Sequence, residues 1–414
     1  MLAKFLLALT LALPLSSHAL DINWSGFGTV GATISDQPYK YQRFIDDQGT
    51  FKRDSILGAQ VDLKFNQQWG AAVQAKIAPS DHNDTQWQGF LSWAFISWRP
   101  TDDLLIRAGK LRVPLMLNTE NQDVGATYDW VRLPVEVYSI APTTDFVGLS
   151  LSKSWFVQEI EWNLDAYTGQ ATNYTRYYGR EMRDREPSPG SWFEKYEVKS
   201  SGLVLTARGL DNIVRAGIHE AVISQPNGTV SEIPYRPLAP GIGYYDVAKG
   251  ARVEQVIVPY QSLSASILIP GNIRLTSEYA HIKVPSASKG MTRWGAYLAV
   301  SRQFGAWTPY VYYAKTKSSA SSLDLYRAIN GNTSPMLPPA LNNYQKLGAD
   351  IVSPYDQSTS AVGTSYRLAA HSLIKAEWSQ TRTGIASSFI DTPSGSDSAK
   401  QQINVFSLSY NFTF

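Results

Sequence analysis

"SILGAQVDLKF", residues 55–65, decides the fold because its apolar and polar residues alternate without interruption. One face of an extended chain carries Leu57, Ala59, Val61, Leu63 and Phe65, and the other carries Gln60, Asp62 and Lys64. A period of two is typical of a strand with one apolar side. "WGAAVQAKIA", residues 69–78, repeats the pattern after a short Gln-Gln connection, so the two segments together predict a β-hairpin.

The same alternation returns along the chain in about sixteen segments of 9 to 14 residues. Strands of this length cross a bilayer when they are tilted. The segments are 22–34, 55–66, 69–78, 90–99, 104–112, 145–153, 156–168, 199–209, 213–224, 260–269, 272–283, 291–304, 307–316, 358–369, 372–382 and 402–414.

Short and long connections alternate between these segments. The short ones are 67–68, 100–103, 155, 210–212, 271, 305–306 and 370–371. The long ones, rich in Pro, Gly, Ser and Asn, are 35–54, 113–144, 169–198, 225–259, 317–357 and 383–401. A transmembrane barrel with an even number of strands has short turns at one rim and long loops at the other. The fold predicted is therefore all-β: a transmembrane antiparallel up-and-down β-barrel of about 16 strands, with short periplasmic turns and long extracellular loops.

Composition agrees with this prediction. Residues 1–19 are typical of a secretory signal peptide, with Lys4, an apolar run and a small-residue cleavage site, which assigns residues 20–414 to the barrel. Beyond residue 19, no apolar run approaches the roughly 18 residues of a spanning helix. A 12% aromatic content, with 23 Tyr and 12 Trp, and a mean hydropathy of −0.21 fit strands that meet lipid at every second residue and girdles of Tyr and Trp at the interfaces.

Charge and cysteine content exclude other classes of protein. The 414 residues contain no cysteine, so the fold depends on backbone pairing or on a large core. The formal net charge of +2 lacks the basic excess that nucleic-acid binding requires. No cluster of His or carboxylates has metal-ligand spacing, so neither a metal nor another cofactor is expected.

The two ends of the barrel have distinctive sequences. "GFGTVG", residues 26–31, satisfies the letters of a dinucleotide-binding motif, but it lies within the first strand and no strand can precede it. We interpret its glycines as positions of close approach or packing gaps for aromatic neighbours. The last strand places Asn404, Phe406, Leu408, Tyr410, Phe412 and Phe414 on one face, which predicts a lipid-facing row.

With these features the chain resembles the Gram-negative outer-membrane porins, and especially their phosphate-selective-porin-like group. The narrower similarity lies in "LLIRAGKLRVPLMLNTENQDVG", residues 104–125, where a strand with A-G-K-x-x-V-P enters a long loop. The resemblance implies that residues 113–144 fold inwards as a constriction loop and that the protein is a homotrimer in outer-membrane lipid. It also implies that small hydrophilic solutes or ions are the partners of the channel.

A sixteen-stranded barrel is too wide to be filled by side chains, so its inner face would line an aqueous channel. The basic candidates for that face are Lys64, Lys76, Arg208, Arg215, Arg274, Arg293, Arg367 and Lys375, with Arg107 in a strand of ambiguous phase. The acidic candidates are Asp62, Glu159, Glu161, Asp165, Glu278 and Glu377. The basic groups outnumber the acidic ones.

The constriction loop adds its own charges. They are Glu120, Asp123, Asp129 and Glu136 with Arg132, and Lys110 and Arg112 flank the loop. If the carboxylates face a basic wall, they create a transverse field that favours polar solutes. Alternatively, they attach the loop to the wall through ion pairs. A phosphate site needs several converging cations, so a weak anion preference or general diffusion is the prediction.

Three other functions remain as alternatives. A surface binding or adhesion protein would use the long loops, and a soluble exported β-sandwich would need no detergent. An outer-membrane hydrolase would need a His site, and outside the signal peptide only His82, His219, His281 and His371 are present. "SLSK", residues 150–153, matches S-x-x-K but lies in a strand without companion motifs, so no enzyme is expected.

Overall fold

The computed structural model describes residues 20–181, 190–247, 249–284 and 292–414. The predicted signal peptide, residues 1–19, lies outside the described residues. Sixteen antiparallel strands form a closed barrel in which each strand pairs with its neighbours in the chain and the last pairs with the first. The fold prediction is therefore confirmed. No helix of the described ranges is both long enough and apolar enough to span a membrane.

The barrel strands are numbered β1 to β16 in chain order. They are β1 Asp21–Ser35, β2 Ile56–Lys64, β3 Trp69–Pro79, β4 Trp87–Thr101, β5 Leu104–Arg112, β6 Asp145–Val157, β7 Ile160–Gly179 and β8 Gly190–Arg208. The second half comprises β9 Ile213–Glu232, β10 Ala251–Ile269, β11 Ile273–Ile282, β12 Arg293–Arg302, β13 Trp307–Ser318, β14 Tyr355–Ala369, β15 Ser372–Ser387 and β16 Gln402–Thr413. Each of the sixteen predicted segments corresponds to one of these strands. Met291, the first residue of one predicted segment, lies outside the described residues.

Four of the connections differ from the prediction. The turn predicted at Trp155 lies at residues 158–159, because Trp155 pairs with Trp162 within the β6–β7 ladder. Much of the predicted loops 169–198 and 225–259 is strand, since β7 to β10 continue well past the length needed to cross a bilayer. The predicted loop 317–357 contains two helices, Ala320–Gly331 and Pro339–Val352.

Two small sheets supplement the barrel at the end with the long connections. Tyr235–Ala239 pairs with Ile242–Tyr245 between β9 and β10, and Lys40–Tyr41 pairs with Ile390–Asp391. The two helices pack through Tyr326, Ile329, Ala349 and Val352 against Val230 and Val247, so this rim carries an apolar core of its own.

The seam between β1 and β16 explains the glycine motif. A Cβ at Gly26 would meet the Phe414 ring at 2.2 Å, and one at Gly28 would meet the Phe412 ring at 2.5 Å. Gly31 makes room for Asp54 instead, whose Cβ lies 2.6 Å from the position of an added methyl group. These glycines are therefore sites of close packing at the closure of the barrel.

Alternation of exposure separates the two faces of the wall. In β16, Phe406 is 57% exposed, whereas its neighbour Ser407 is buried. Tryptophan is the most frequent type among the exposed aromatic residues: Trp24, Trp69, Trp87, Trp98, Trp155, Trp307 and Trp378 are exposed. The prediction that interfacial girdles take up the tyrosines holds only for some of them, because Tyr167, Tyr260, Tyr297, Tyr310 and Tyr312 are buried.

Candidate functional site

Residues 113–144 leave the wall after β5 and return to it at β6, and between these points they bond to inward-facing side chains around much of the barrel. The segment contains a short helix, α1 (Val135–Tyr138), and a 3₁₀ turn, Gly125–Thr127. Apolar residues of the segment, including Leu115, Met116, Trp130 and Ile140, share one buried cluster with wall residues of β5 to β14. The segment therefore lies inside the barrel as a packed element.

Arg132 binds the loop to the seam of the barrel. Its Nε lies 3.0 Å from Oδ1 of Asp54 and its Nη2 lies 2.6 Å from Oδ2, and Nη2 also donates to the hydroxyls of Thr33 and Ser407. Burial raises the pKa of the Asp54 carboxyl, but the Arg132 charge and hydrogen bonds outweigh that effect and lower it from 3.8 to about 2. This ion pair fixes the loop to a residue just before β2.

Glu278 of β11 accepts four hydrogen bonds beneath the loop. Its Oε2 accepts from the Leu117 amide at 2.8 Å and from Ser264 at 2.9 Å, and its Oε1 accepts from Tyr138 at 2.6 Å and from Tyr297 at 2.7 Å. Because both carboxylate oxygens are satisfied, a buried charge is tolerated here. Glu278 thus holds the start of the loop and α1 against one side of the wall.

Backbone carbonyls of the loop are held by two buried cations. Lys375 of β15 is 0% exposed and donates to the carbonyls of Gly125 at 2.6 Å and Trp130 at 2.7 Å. Arg215 of β9 donates to the carbonyl of Met116 at 2.7 Å. Both were predicted to line the channel, but the loop covers them, so they fasten it to the wall instead of facing water.

Two acidic residues of the loop bond to neutral wall groups. Glu136 accepts from Gln357 at 2.7 Å and from Thr359 at 2.5 Å, and burial raises the pKa of its carboxyl. Asp129 accepts from Ser365 at 2.6 Å. The predicted field between loop carboxylates and a basic wall therefore fails at Glu136, whereas Asp129 lies near enough to Lys375 of the wall to interact with its charge.

Asp123 does face basic residues. Lys76 of β3 lies 2.7 Å from its carboxylate, and Arg112 bonds to the same oxygen. Arg112 also reaches Asp145 at 3.0 Å and the carbonyl of Thr119 at 3.2 Å. The Asp123 carboxyl is buried, which raises its pKa, yet the charges of Arg112 and Lys76 hold that pKa below its usual value.

The register of β5 with its neighbours places Arg107 and Lys110 on opposite faces of the barrel wall. Arg107 pairs with Ser97 and Ser150 on the inner face, and its half-buried guanidinium lies 5.8 Å from the centre of the Phe95 ring. Lys110 pairs with Ala94 and with Val147, whose side chain is 54% exposed on the outer face. The prediction that Lys110 lines the pore is wrong, because Lys110 is in register with the outward-facing Val147 of the neighbouring strand.

The remaining candidates lie near the ends of the barrel. Lys64, Arg208, Arg274 and Arg367 lie on the inner face at the rim with short turns, where Arg208 approaches Glu161 at 3.8 Å and Arg274 donates to the Asp211 carbonyl at 3.0 Å. Glu159, an acidic candidate for the wall, lies in the turn at residues 158–159 instead. Arg293 begins β12 at the opposite end and bonds to the Ser139 carbonyl.

The interior is consequently divided into two parts. Strands β9 to β16 are covered by the loop, whereas β2 to β7 retain half-buried polar side chains such as Gln60, Asp62, Arg107 and Ser152. On the loop, Glu120 is half-buried and has no hydrogen bond or ion pair to the described residues, and Thr127 is exposed. Polar groups of the loop and of β2 to β7 thus remain accessible to water.

Some residues of the site are hard to recognise from the sequence alone. Asp54 falls in the predicted loop 35–54, and nothing in that segment points to a loop some 80 residues later. Tyr138, Tyr297 and Tyr310 bond to Glu278 and Glu377, but the high tyrosine content was attributed to the membrane interface. The alternation of Tyr310 and Tyr312 with exposed Val311 and Tyr313 is the signal that would have identified inward tyrosines.

No known protein-family profile matches the chain, and no curated protein matches its sequence. Solved structures do. An anion-selective porin from Comamonas acidovorans has a TM-score of 0.53 at 10% identity, with 95% of this chain and 100% of that one covered. The outer membrane channel DcaP of Acinetobacter baumannii has a TM-score of 0.52 at 10% identity, with 97% and 100% covered.

A third structure is OmpT, in-vitro folded, an outer membrane protein of Vibrio cholerae in its trimer form. Its TM-score is 0.50 at 10% identity, with 96% of this chain and 100% of that one covered. The narrower resemblance to the phosphate-selective-porin-like group stays a prediction. At these identities the likeness concerns architecture, and the chain has the closed sixteen-stranded barrel fold of outer-membrane porins and channels.

Proposed function

We propose that this chain is an outer-membrane porin, a water-filled channel for the passive diffusion of small hydrophilic solutes. One observation carries the proposal: a closed barrel with an apolar outer face contains an inward-folded loop that narrows, from one side, an interior with accessible polar groups. Exposed apolar side chains at alternate positions suit hydrocarbon, and a closed ladder leaves no backbone group unpaired in it. The signal-peptide pattern supports export to the outer membrane.

A weak anion preference accompanies the proposal. Asp123 is matched by two cations and burial raises the pKa of the Glu136 carboxyl, whereas Lys64, Arg107, Arg274 and Arg367 on the inner face have no carboxylate within 4.0 Å among the described residues. Glu120 of the loop, which has no ion pair to the described residues, opposes them, so the preference is weak. Unmatched positive charge in a pore attracts anions. Arg132 and Lys375 are engaged in holding the loop, so these cations do not form a converging phosphate site.

A homotrimer in outer-membrane lipid is part of the same proposal. Large parts of the outer wall are apolar at alternate positions, and a structural relative of the same fold is known in a trimer form. Lys110 lies on the outer face beside Val147, where contact with another subunit would shield its charge from hydrocarbon.

We propose no catalytic role. His219 is the one buried His of the described residues, and its Nδ1 lies 3.0 Å from the Tyr167 hydroxyl while its Nε2 lies 3.5 Å from Ser262. A hydrolase triad needs a carboxylate on the far side of the imidazole. A tyrosine in that place favours a structural role for this histidine.

Planar-bilayer recording with the purified full chain under a KCl gradient tests the proposal. We expect stable conductance steps and a reversal potential of the sign that marks a slight anion preference, with heat-denatured protein as the control. A folded barrel that gives no conductance would contradict the channel function and favour a surface-binding protein. Strong cation selectivity would contradict the assignment of the charges.

A further inference from the structure

A cavity of about 270 Å³ lies between the loop and the extracellular end of the barrel. Residues 139–142 of the loop form one side, and the start of β12 and β14 and the extended parts of β7 to β9 form the others. Tyr174, Tyr177 and Tyr196 contribute aromatic surface, while Ile223 and Ile282 contribute aliphatic surface. A volume just below the usual range of about 300–1,000 Å³ suits a small ligand.

Arg293 brings an uncompensated positive charge to this cavity. It is 7% exposed, its Nη2 donates to the Ser139 carbonyl, and its guanidinium lies 4.0 Å from the centre of the Tyr355 ring. Among the described residues, its Nη1 has no hydrogen-bond partner and no carboxylate lies within 4.0 Å of the guanidinium. A buried charge without a partner is costly, and a bound anion would remove that cost.

The second arginine of the cavity differs from the first. Arg176 bonds to Asp391 through Nη1 at 2.8 Å and Nη2 at 2.6 Å, and its Nε lies 2.9 Å from Asp84. The charge of Arg176 is therefore matched by protein carboxylates. Arg293 is then the residue that gives the cavity a net positive charge. At this rim a buried arginine can therefore pair with carboxylates, but Arg293 has no such partner among the described residues.

We propose that the cavity binds a small monocarboxylate with an apolar body, with the carboxylate on Arg293 and the body against the tyrosines and isoleucines. The inference rests on the proposed function, because it names a class of solute that would bind between the extracellular end of the barrel and the constriction loop. A guanidinium favours a carboxylate through paired charge-assisted hydrogen bonds, and an aromatic wall favours a flat apolar body over a hydrated inorganic anion.

Ligand-observed NMR on the purified full chain in detergent tests the site without any measurement of conductance. Benzoate is the probe, and benzamide is its neutral isostere. We expect benzoate to bind more tightly than benzamide and Arg293→Gln to weaken benzoate binding about tenfold or more, since one charged hydrogen-bonding group is lost. Arg327→Gln, the same change at an exposed helix residue, should leave benzoate binding unchanged.

A second variant protects the test against misfolding of the first. Ile223→Trp fills the cavity and keeps Arg293, so it should weaken the binding of both probes while the barrel retains its heat-modifiable migration on gels. Equal binding of benzoate and benzamide, or unchanged benzoate binding in either cavity variant, would overturn the site. If the channel conducts but benzoate does not bind, the proposed binding site is wrong and the porin proposal stands. If benzoate binds but the protein does not conduct, the binding site stands and the porin proposal is wrong.

Discussion

Asp54 and Arg132 form a buried ion pair, joined by two hydrogen bonds, that attaches the loop to the seam of the barrel. We expect Asp54→Asn to destabilise the barrel by roughly 3–5 kcal/mol, because it leaves a buried guanidinium without its carboxylate. Thr33 and Ser407 would remain as neutral partners only. Urea unfolding of the refolded protein in detergent measures the change. Asp103→Asn removes the exposed partner of Lys153 and should change nothing measurable; equal midpoints for both variants would contradict the anchor.

The same ion pair predicts a dependence on pH. The pKa of Asp54 is about 2 in the folded chain against an ordinary 3.8, so the ionised carboxylate stabilises the fold above that ordinary value and its contribution is lost as the pH falls towards 2. The difference in stability between the wild type and Asp54→Asn should stay constant above about pH 4 and shrink below it. Unfolding midpoints measured as a function of pH provide the check. A difference that already shrinks between about pH 7 and pH 5 would show that another group controls the anchor.

The strands could be predicted from the sequence almost completely, whereas the path of the loop could not. Alternation in a strand is local, so residues 55–65 alone reveal which side chains face outward. The position of the loop inside the barrel depends on hydrogen bonds between residues far apart in the chain, such as Arg132 with Asp54 and Leu117 with Glu278. Lys110 lies in a strand that the sequence predicts, but the face of the wall on which it lies follows only from the register of that strand with β4 and β6.

Helix α1 packs closely against β12. A Cβ at Gly295 would lie 1.9 Å from the carbonyl oxygen of Glu136 and 2.7 Å from Ile140, so Gly295→Ala must lift the helix from the wall. We expect a loss of about 1–3 kcal/mol, as in overpacked cores, and a conductance that differs from that of the wild type. Thermal unfolding and single-channel recording measure the two effects.

Gly89 of β4 offers a matched control for this change. An added Cβ there would meet nothing within 4 Å, so Gly89→Ala should leave both stability and conductance close to the wild type. Unaltered conductance in a folded Gly295→Ala protein would mean that α1 does not shape the pore.

Across the barrel as a whole, the loop divides the charges into two groups with different effects. Charges under the loop on β9 to β16, such as Arg215 and Lys375, hold it in place, so their removal should mainly cost stability. Charges on the inner face of β2 to β7 that do not bond to the loop, such as Asp62 and Arg107, remain partly accessible to water and should mainly affect selectivity. Composition cannot predict this division, because it depends on which side of the lumen the loop covers.

Arg107 and Lys110 allow the division to be tested on a single strand. Each has no ion pair to the described residues, but the register places Arg107 on the inner face and Lys110 on the outer face. A unit charge about 10 Å from a permeating ion is worth roughly 0.4 kcal/mol in water, and about 0.15 kcal/mol after screening at about 0.1 M salt, where the Debye length is about 10 Å. Because the charge attracts the anion and repels the cation, the ratio of their permeabilities changes by about twice that energy, or a little under a factor of two. Arg107→Gln should therefore lower the ratio of anion to cation permeability about twofold, as measured from reversal potentials under a KCl gradient, while Lys110→Gln leaves it unchanged. Because both variants remove one positive charge from the same strand, a shift of equal size in both would mean that the register does not determine which of these charges the solute meets.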